Sequence, residues 1–345
     1  MADFNINHIT GKQGQQGTVL AGITTVNSTG AMRIPSGPIE NRGGRGRGVF
    51  SGGRNNPVYY STMEYVEIAS TGNTTDFGDL SNGINGGSGN VSSSTRGLVA
   101  GGYEGSPGAN ISHIDYYTIS SSGGAADFGD LLEISNTHGG VSNNTRGIYG
   151  GYYPSYSGIL SSVTIASTGD ASNFGSLIAR SNASAGGINS PTRGIYIGID
   201  VSPVMDGTGA IVQRTEYVTI DSRGNSEEFG ELSVKRSANS GCSSSTRGLS
   251  MGGLTPSISD VIDYCTIATL GNFIDFGNLT VARRGGGGCS SSTRGLMGGG
   301  TTPSNLNTID YVTIASTGNA TDFGDMSYVA RGVTANSDVH GGLGE

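Results

Sequence analysis

A closed β-propeller of six blades is the fold this sequence predicts, and three observations predict it. A Phe-Gly pair returns at Phe77, Phe128, Phe174, Phe229, Phe276 and Phe323, a period of about 47 residues. An Arg-Gly pair follows the first five of these after 18 or 19 residues, at Arg96, Arg146, Arg193, Arg247 and Arg294, and Arg47 opens the series. The return legs, from each Arg to the next Phe, run 30, 32, 28, 36, 29 and 29 residues. All the slack therefore lies in one half of the repeat, as in a rigid unit with one variable loop.

Composition points the same way. Gly is 62 of 345 residues, hydrophobic residues are 34% and Trp is absent. Such a chain cannot bury one deep core, but it can bury thin ones between stacked units. The nine prolines and the lack of a three-residue glycine period exclude collagen.

Taken in order, residues 1–45 read as an N-terminal arm and 46–345 as the propeller. The last repeat shows the plan most clearly. Its first strand is the small-residue run GGGGCSSS and its second is RGLMGGG, ending in a glycine cluster. The third, IDYVTIAS, is rich in β-branched and aromatic residues. The fourth, ATDFGDM, is entered through Ser316-Thr317-Gly318-Asn319, whose Gly and Asn suit positive φ. No stretch keeps a helical period over ten residues, so helices are expected to be nearly absent.

Strand counting closes the ring. The second, third and fourth strands each occur six times, whereas the first precedes a second strand only five times. The sixth first strand is VTANSD at 333–338, which follows Arg331 as GGGCSS follows Arg284. Pairing this C-terminal strand with the blade begun by residues 46–80 leaves only short, protected edges. A seventh blade is the alternative, because ITTVNSTGAMRIPSG at 23–37 echoes the third and fourth strands and HGGLG at 340–344 echoes the second.

Most apparent chemistry dissolves in the repeat. Asp-Phe-Gly at 76–78, 127–129, 275–277 and 322–324 is spelled like a kinase magnesium motif, but a kinase needs it once. The pairs Asp76/Asp79, Asp127/Asp130, Glu228/Glu231 and Asp322/Asp325 read as solvated turn residues, since calcium needs six or more oxygen ligands. His8, His113, His138 and His340 fall at unrelated phases of the repeat, and no serine sits in a nucleophile elbow. Cys242 and Cys289 are 47 apart and read as small buried residues of equivalent strands; with Cys265 they make no disulfide framework. No catalytic, cofactor-binding or metal-binding residue is expected. The net charge of −8 argues against nucleic acid or an anionic membrane as partner, and no apolar run is long enough to span a bilayer. MADFNINHIT lacks the basic and apolar regions of a signal peptide.

Two features carry candidate recognition. Arg47, Arg96, Arg146, Arg193, Arg247 and Arg294 all fall at the turn between strands one and two, and would form a ring on one face. Each is expected to stack on a neighbouring blade or to pair with its acidic turn, with an anion-docking or partner-docking ring as the alternative. The same face carries the near-constant 1–2 and 3–4 turns. The opposite face carries the 2–3 loops, which differ in every unit, and variable loops on a rigid scaffold are where recognition usually lies. Tyr103, Tyr152, Tyr153 and Tyr156 are exposed-aromatic candidates there, with Met205 and Asp206 in the longest loop.

The double glycine ending strand two, a Tyr in strand three, an aromatic in strand four and a basic residue after it resemble the kelch repeat. They stand at Gly101-Gly102, Tyr116 and Phe128, and again at Gly252-Gly253, Tyr264, Phe276 and Arg283. Phe replaces the kelch Trp, and Ser162 replaces Tyr in the third unit. The wording YVTIASTGNATDFGD, together with TTVNSTGAMRIPSG at 24–37, resembles virion structural proteins of tailed phages, particularly those of marine cyanobacteria. That resemblance implies a non-enzymatic capsid, neck or tail component, assembled in the host cytoplasm and released by lysis. Residues 1–45 would then dock onto other virion proteins, with GAMRIPSG able to add a strand to a partner sheet, and the propeller would face subunits or a host glycan or receptor. The alternatives are a stand-alone glycan- or receptor-binding propeller and, third, an enzyme on a kelch scaffold.

Overall fold

The computed structural model describes residues 25–26, 32–33 and 46–343, apart from 87, 107, 137–138, 179–180, 184–186, 202–209 and 212. Six antiparallel sheets of four principal strands form the blades of a propeller. Blade 1 comprises Arg47–Ser51, Thr62–Glu67 and Thr75–Asp79, with Thr334–Ser337 as its innermost strand. Gly48 stands opposite Ser337 and Ser51 opposite Thr334, so the far end of the chain closes the ring as the strand count required. Blades 2 to 6 follow in chain order, and their first strands are Ser88–Ser92, Gly139–Ser142, Gly187–Asn189, Ser240–Ser243 and Gly287–Ser290. Thr25–Val26 and Met32–Arg33 pair with each other in a small sheet of their own, so the candidate seventh blade is not formed. The remainder of the 1–45 arm lies outside the described residues.

The hydrophobic core is divided into six clusters, one per seam between blades. At the seam of blades 4 and 5, for example, Ile188, Ile195 and Phe229 meet Cys265, Ile267 and Phe273. Thin cores of this kind are what a chain poor in large apolar residues can fill.

The Phe-Gly pair has a specific geometric cause. In every blade the ladder between strands three and four slips by one residue, and Phe is the extra one. In blade 2, for instance, Gly129 faces Ile114 and Asp127 faces Asp115, leaving Phe128 unpaired. This β-bulge turns the ring into the seam, where all six phenylalanines are buried. The glycine that follows takes positive φ in four blades, +141° to +150° at Gly78, Gly129, Gly277 and Gly324.

Deleting residues 333–345 removes the innermost strand of blade 1 and uncovers the edge of Arg47–Ser51. Chemical denaturation followed by circular dichroism is expected to lose its cooperative transition, and size-exclusion chromatography to show self-association. A fully cooperative monomer with an unchanged midpoint would contradict closure through this strand.

Candidate functional site

At the axis, the six first strands pack side by side in a closed circle. They can do so because they are built of Gly, Ser and other small residues: a Cβ on Gly187 would stand 2.0 Å from Gly140 O, and one on Gly288 2.5 Å from Gly241 O. One polar residue from each strand completes a buried belt. Ser142 Oγ accepts the Ser92 N–H (3.1 Å), and Asn189 Oδ1 accepts the Ser142 N–H (2.9 Å). Ser243 Oγ accepts the Asn189 N–H and donates to Asn189 O (2.9 and 2.8 Å). Ser290 Oγ repeats this on Ser243 (3.1 and 2.8 Å). Ser337 Oγ donates to Ser290 O (2.6 Å), and Ser92 Oγ donates to Ser337 O (2.7 Å), closing the circle.

The segment after Ser337 then seals the mouth of the axis on the face of the 1–2 turns. His340 is buried, with Nε2 3.0 Å from Ser92 O, while its Nδ1 accepts the Gly342 N–H at 3.0 Å. An acceptor role for Nδ1 fixes the neutral tautomer, with the proton on Nε2. Burial lowers the His340 pKa to about 4. Gly341 and Gly342 sit so deep that a Cβ would stand 2.1 Å from Ser244 O and 2.0 Å from Ser142 O respectively.

On the same face lie the six repeat arginines, and each is engaged between blades. Arg96 Nη1 donates to Ile165 O and Ala166 O (3.1 and 2.9 Å), Arg193 to Ile267 O and Ala268 O (2.9 and 2.8 Å), and Arg247 to Ile314 O and Ala315 O (2.9 Å each). Arg294 does the same to Ile68 O and Ala69 O, Arg146 donates to Ile220 O, and Arg47 to Ile119 O. Five guanidiniums lie 4.3–4.8 Å over the tyrosine ring of their own blade, at Tyr65, Tyr116, Tyr217, Tyr264 and Tyr311. Where Ser162 replaces that tyrosine, Arg146 reaches only Phe174, at 5.8 Å. Across each seam the partners are backbone carbonyls of the next blade, not its acidic turn, while Arg47 Nε also pairs with Glu67 of its own blade at 3.0 Å; each arginine is a staple across a seam.

The outer seam is held by backbone. The glycine of each 3–4 turn donates its N–H to the carbonyl of the preceding blade's Phe: Gly123 to Phe77, Gly169 to Phe128, Gly224 to Phe174, Gly271 to Phe229, Gly318 to Phe276 and Gly72 to Phe323, at 2.7–3.0 Å. This approach explains the glycine after Phe, since a Cβ on Gly175 would stand 1.9 Å from Gly224 O.

A further set of seam residues lies in the acid that precedes the strand-three tyrosine. Glu64, Asp115, Glu216, Asp263 and Asp310 are all buried. Asp115 accepts from Ser81 N and Oγ (3.0 and 2.8 Å), Asp263 from Ser233, Asp310 from Thr280 and Glu64 from Ser327. Asp263 and Asp310 also hold the buried Arg236 (2.8 Å) and Arg283 (3.2 Å). Arg283 is the basic residue of the kelch-like pattern. The signal for this set was present as a repeated acid in an otherwise apolar strand, but the strand's β-branched character hid it.

The opposite face carries the 2–3 loops. Tyr103 and Tyr153 are half-buried, and Tyr153 meets Tyr156 edge-on at 5.5 Å between ring centroids. Tyr156 takes φ +48°, a left-handed conformation that costs a bulky residue about 1–2 kcal/mol. Tyr152 is corrected from surface to core: it is fully buried in the seam of blades 2 and 3, its hydroxyl 2.5 Å from Ser161 Oγ. It follows Gly151 where four of the other five units have a second glycine and the fourth unit has the buried Ile199. Met205 and Asp206 lie outside the described residues. Beyond the loops, the ends of successive fourth strands expose Leu132, Ile134, Ile178, Val234, Val281 and Val329, with Val58 in the first loop. The other face exposes only Leu270 and Ile274 among large aliphatics of the described residues.

Among the described residues no group of three or more His, Cys, Asp or Glu is placed to hold a metal. The three cysteines are buried and unpaired, and burial pushes the Cys242 thiol up to about 12. His113 is bound locally to Asp115 at 3.0 Å, far in the chain from His340, and His8 and His138 are not among the described residues. No protein-family model matches the chain, and no curated protein matches it. The architecture is that of a six-bladed propeller consistent with the kelch-like pattern.

Two outcomes are expected from this geometry. Gly175→Ala should cost about 2 kcal/mol by overpacking, whereas Gly224→Ala, whose Cβ would meet nothing within 4 Å, should stay within about 0.5 kcal/mol; urea midpoints decide it. His340 binds a proton less readily folded than unfolded, so stability should be full above pH 6.5 and fall as pH drops towards 4, by about 3 kcal/mol at most. Denaturant titrations across that range should show the slope in the native chain and a flatter profile in His340→Asn.

Proposed function

We propose that this protein is a non-enzymatic structural component of a tailed-phage virion, which presents the 2–3 loop face of its propeller to neighbouring subunits or to the host surface. The observation that carries the contact assignment is the asymmetry of the two faces. On the turn face the repeat arginines are spent on carbonyls of adjacent blades, and the axis is sealed by His340 and the Gly341–Leu343 turn. On the loop face the loops vary in length, tyrosines remain half-exposed and a line of aliphatic side chains is open to solvent. Periodic exposed apolar side chains with adaptable loops suit a protein contact.

The virion assignment rests on the wording of residues 311–325 and 24–37, which resembles phage structural proteins. A stand-alone receptor- or glycan-binding propeller is the second reading, favoured by Tyr103, Tyr153 and Tyr156 on the loops. An electron cryo-microscopy map of the purified particle distinguishes them. The expected result is density for a six-bladed disc, anchored by another chain through residues 1–45 and turning its loop face towards neighbours or solvent. Particles that lack the chain by mass spectrometry, while the free protein binds host cells, would overturn the structural reading.

A further inference from the structure

One group of arginines stands apart from the staples. Arg54 and Arg331 are register partners in an antiparallel bridge on the loop face, with Arg54 N–H to Arg331 O at 2.9 Å and Arg331 N–H to Arg54 O at 3.1 Å. Bridge partners project their side chains to the same side of the ladder. Arg284 occupies the equivalent position one blade earlier (331 − 284 = 47) and is bridged to Thr301. The two positions are joined at the next residue, where Gly332 N–H donates to Gly285 O at 2.7 Å.

Like charges set opposite one another are destabilising, and other arginines among the described residues are given acceptors. Arg236 and Arg283 each have a buried aspartate, Arg214 has Glu216, and the six repeat arginines have carbonyls. Here burial, and after it the neighbouring Arg54 and Arg284, lower the Arg331 pKa, and the Tyr59 phenol acts in the opposite sense. Arg54 Nη1 reaches Tyr59 Oη at 3.2 Å, but its Nε is buried with no acceptor. An aromatic wall adjoins the group: Tyr59 and Tyr103 lie 5.8 Å apart at 37°. Tyr59 sits so close to Gly105 that a Cβ there would stand 2.4 Å from its ring.

We infer that Arg54, Arg284 and Arg331 bind the carboxylate or sulfate group of an acidic saccharide, whose ring lies against the Tyr59–Tyr103 wall. Guanidinium forks present paired N–H groups that match a planar or tetrahedral oxyanion, and a bound anion removes the repulsion among the three. Tyrosine faces supply the apolar contact that a sugar ring accepts. An extended nucleic acid does not fit, because its binding needs a long row of phosphate contacts and this chain carries a net charge of −8. The inference rests on the loop face being the contact face, and is independent of where in a particle the chain resides.

Isothermal titration of the full chain tests it, with a sulfated heparin disaccharide, a trigalacturonate, their uncharged counterparts, sodium sulfate and a single-stranded DNA oligomer as probes. The expected result is binding of one or both acidic saccharides, weakened at least tenfold by Arg331→Gln and by Arg54→Gln and unchanged by Arg223→Gln on the turn face. Which of the two binds assigns the anionic group. Equal binding of the uncharged sugars, binding of sulfate alone, preference for DNA, or no binding would each overturn it. Arg331→Gln is also expected to melt at or above the native temperature, because it relieves repulsion; a lower melting temperature would make the cluster a structural element and overturn the site. Incorporation of Arg331→Gln into particles separates this inference from the virion reading, since failure of one leaves the other standing.

Discussion

The approach of six strands to a common axis is the constraint on which the remaining features depend. Each first strand must come close enough to its neighbours for one side-chain oxygen or amide to bridge to the next backbone, at Ser92, Ser142, Asn189, Ser243, Ser290 and Ser337. Only small residues permit that approach, which is why the strands read as Gly and Ser runs. The belt has no free end: its sixth member comes from a strand over 240 residues away in sequence from the first (337 − 92 = 245). A buried polar circle is costly unless every member is satisfied, because an unpaired buried group loses about 1–3 kcal/mol. The ring is thus cooperative by construction, since removing one blade strands the polar groups of two others.

From that axis outward, each seam is closed at successive radii by a different kind of bond. Hydroxyls and one amide act at the centre, apolar side chains next, buried acids with Ser or Thr partners beyond them at five of the six seams, then the Phe carbonyl and turn glycine at the rim. The arginine staples tie the turn face alone. On the loop face the inter-blade contacts are local, as where Tyr103 and Glu104 pair with Asn85 and Ile84 or where Arg54 pairs with Arg331. Loop length beyond those contacts can change without disturbing the axial belt, the rim or the arginine staples, which is the physical condition for a surface that diversifies.

Blade number, strand order and closure were legible in the sequence because each depends on a periodic residue. The small first strand, the Phe-Gly bulge and the Arg-Gly turn recur in phase, and the displaced VTANSD run showed where the ring closes. What the arginines bond to was not legible. Backbone carbonyls carry no sequence signature, so the acidic turn looked the better partner for a guanidinium than the Ile-Ala carbonyls it reaches. Tyr152 failed for a related reason: a tyrosine beside a variable loop has the same letter whether its ring turns in or out. The Arg54, Arg284 and Arg331 group was invisible for a third. Two of its members are in phase, but Arg54 meets them only through the closing bridge between the first and last blades.

The closing strand also makes the seam of blades 1 and 2 differ chemically from the other five, and the differences compensate one another. At the first-strand position occupied by Val91, Val141, Ile188, Cys242 and Cys289, the closing strand has Asn336. An asparagine in an apolar seam needs partners, and blade 2 supplies them: Asn336 Nδ2 donates to Leu98 O at 2.9 Å and to Tyr117 Oη at 3.2 Å. Tyr117 stands where the other third strands have Val or Cys, and its ring fills space so fully that a Cβ on Gly97 would stand 2.5 Å from it. A polar pair at this one seam matches the closing strand to blade 1 and blade 2 and to no other pair of neighbours. Five apolar seams are interchangeable in character, so a ring built of them alone could pair its last strand out of register. The sixth, carrying Asn336 and Tyr117, gives the buried Asn336 Nδ2 its two acceptors only when the ring shuts in its native order.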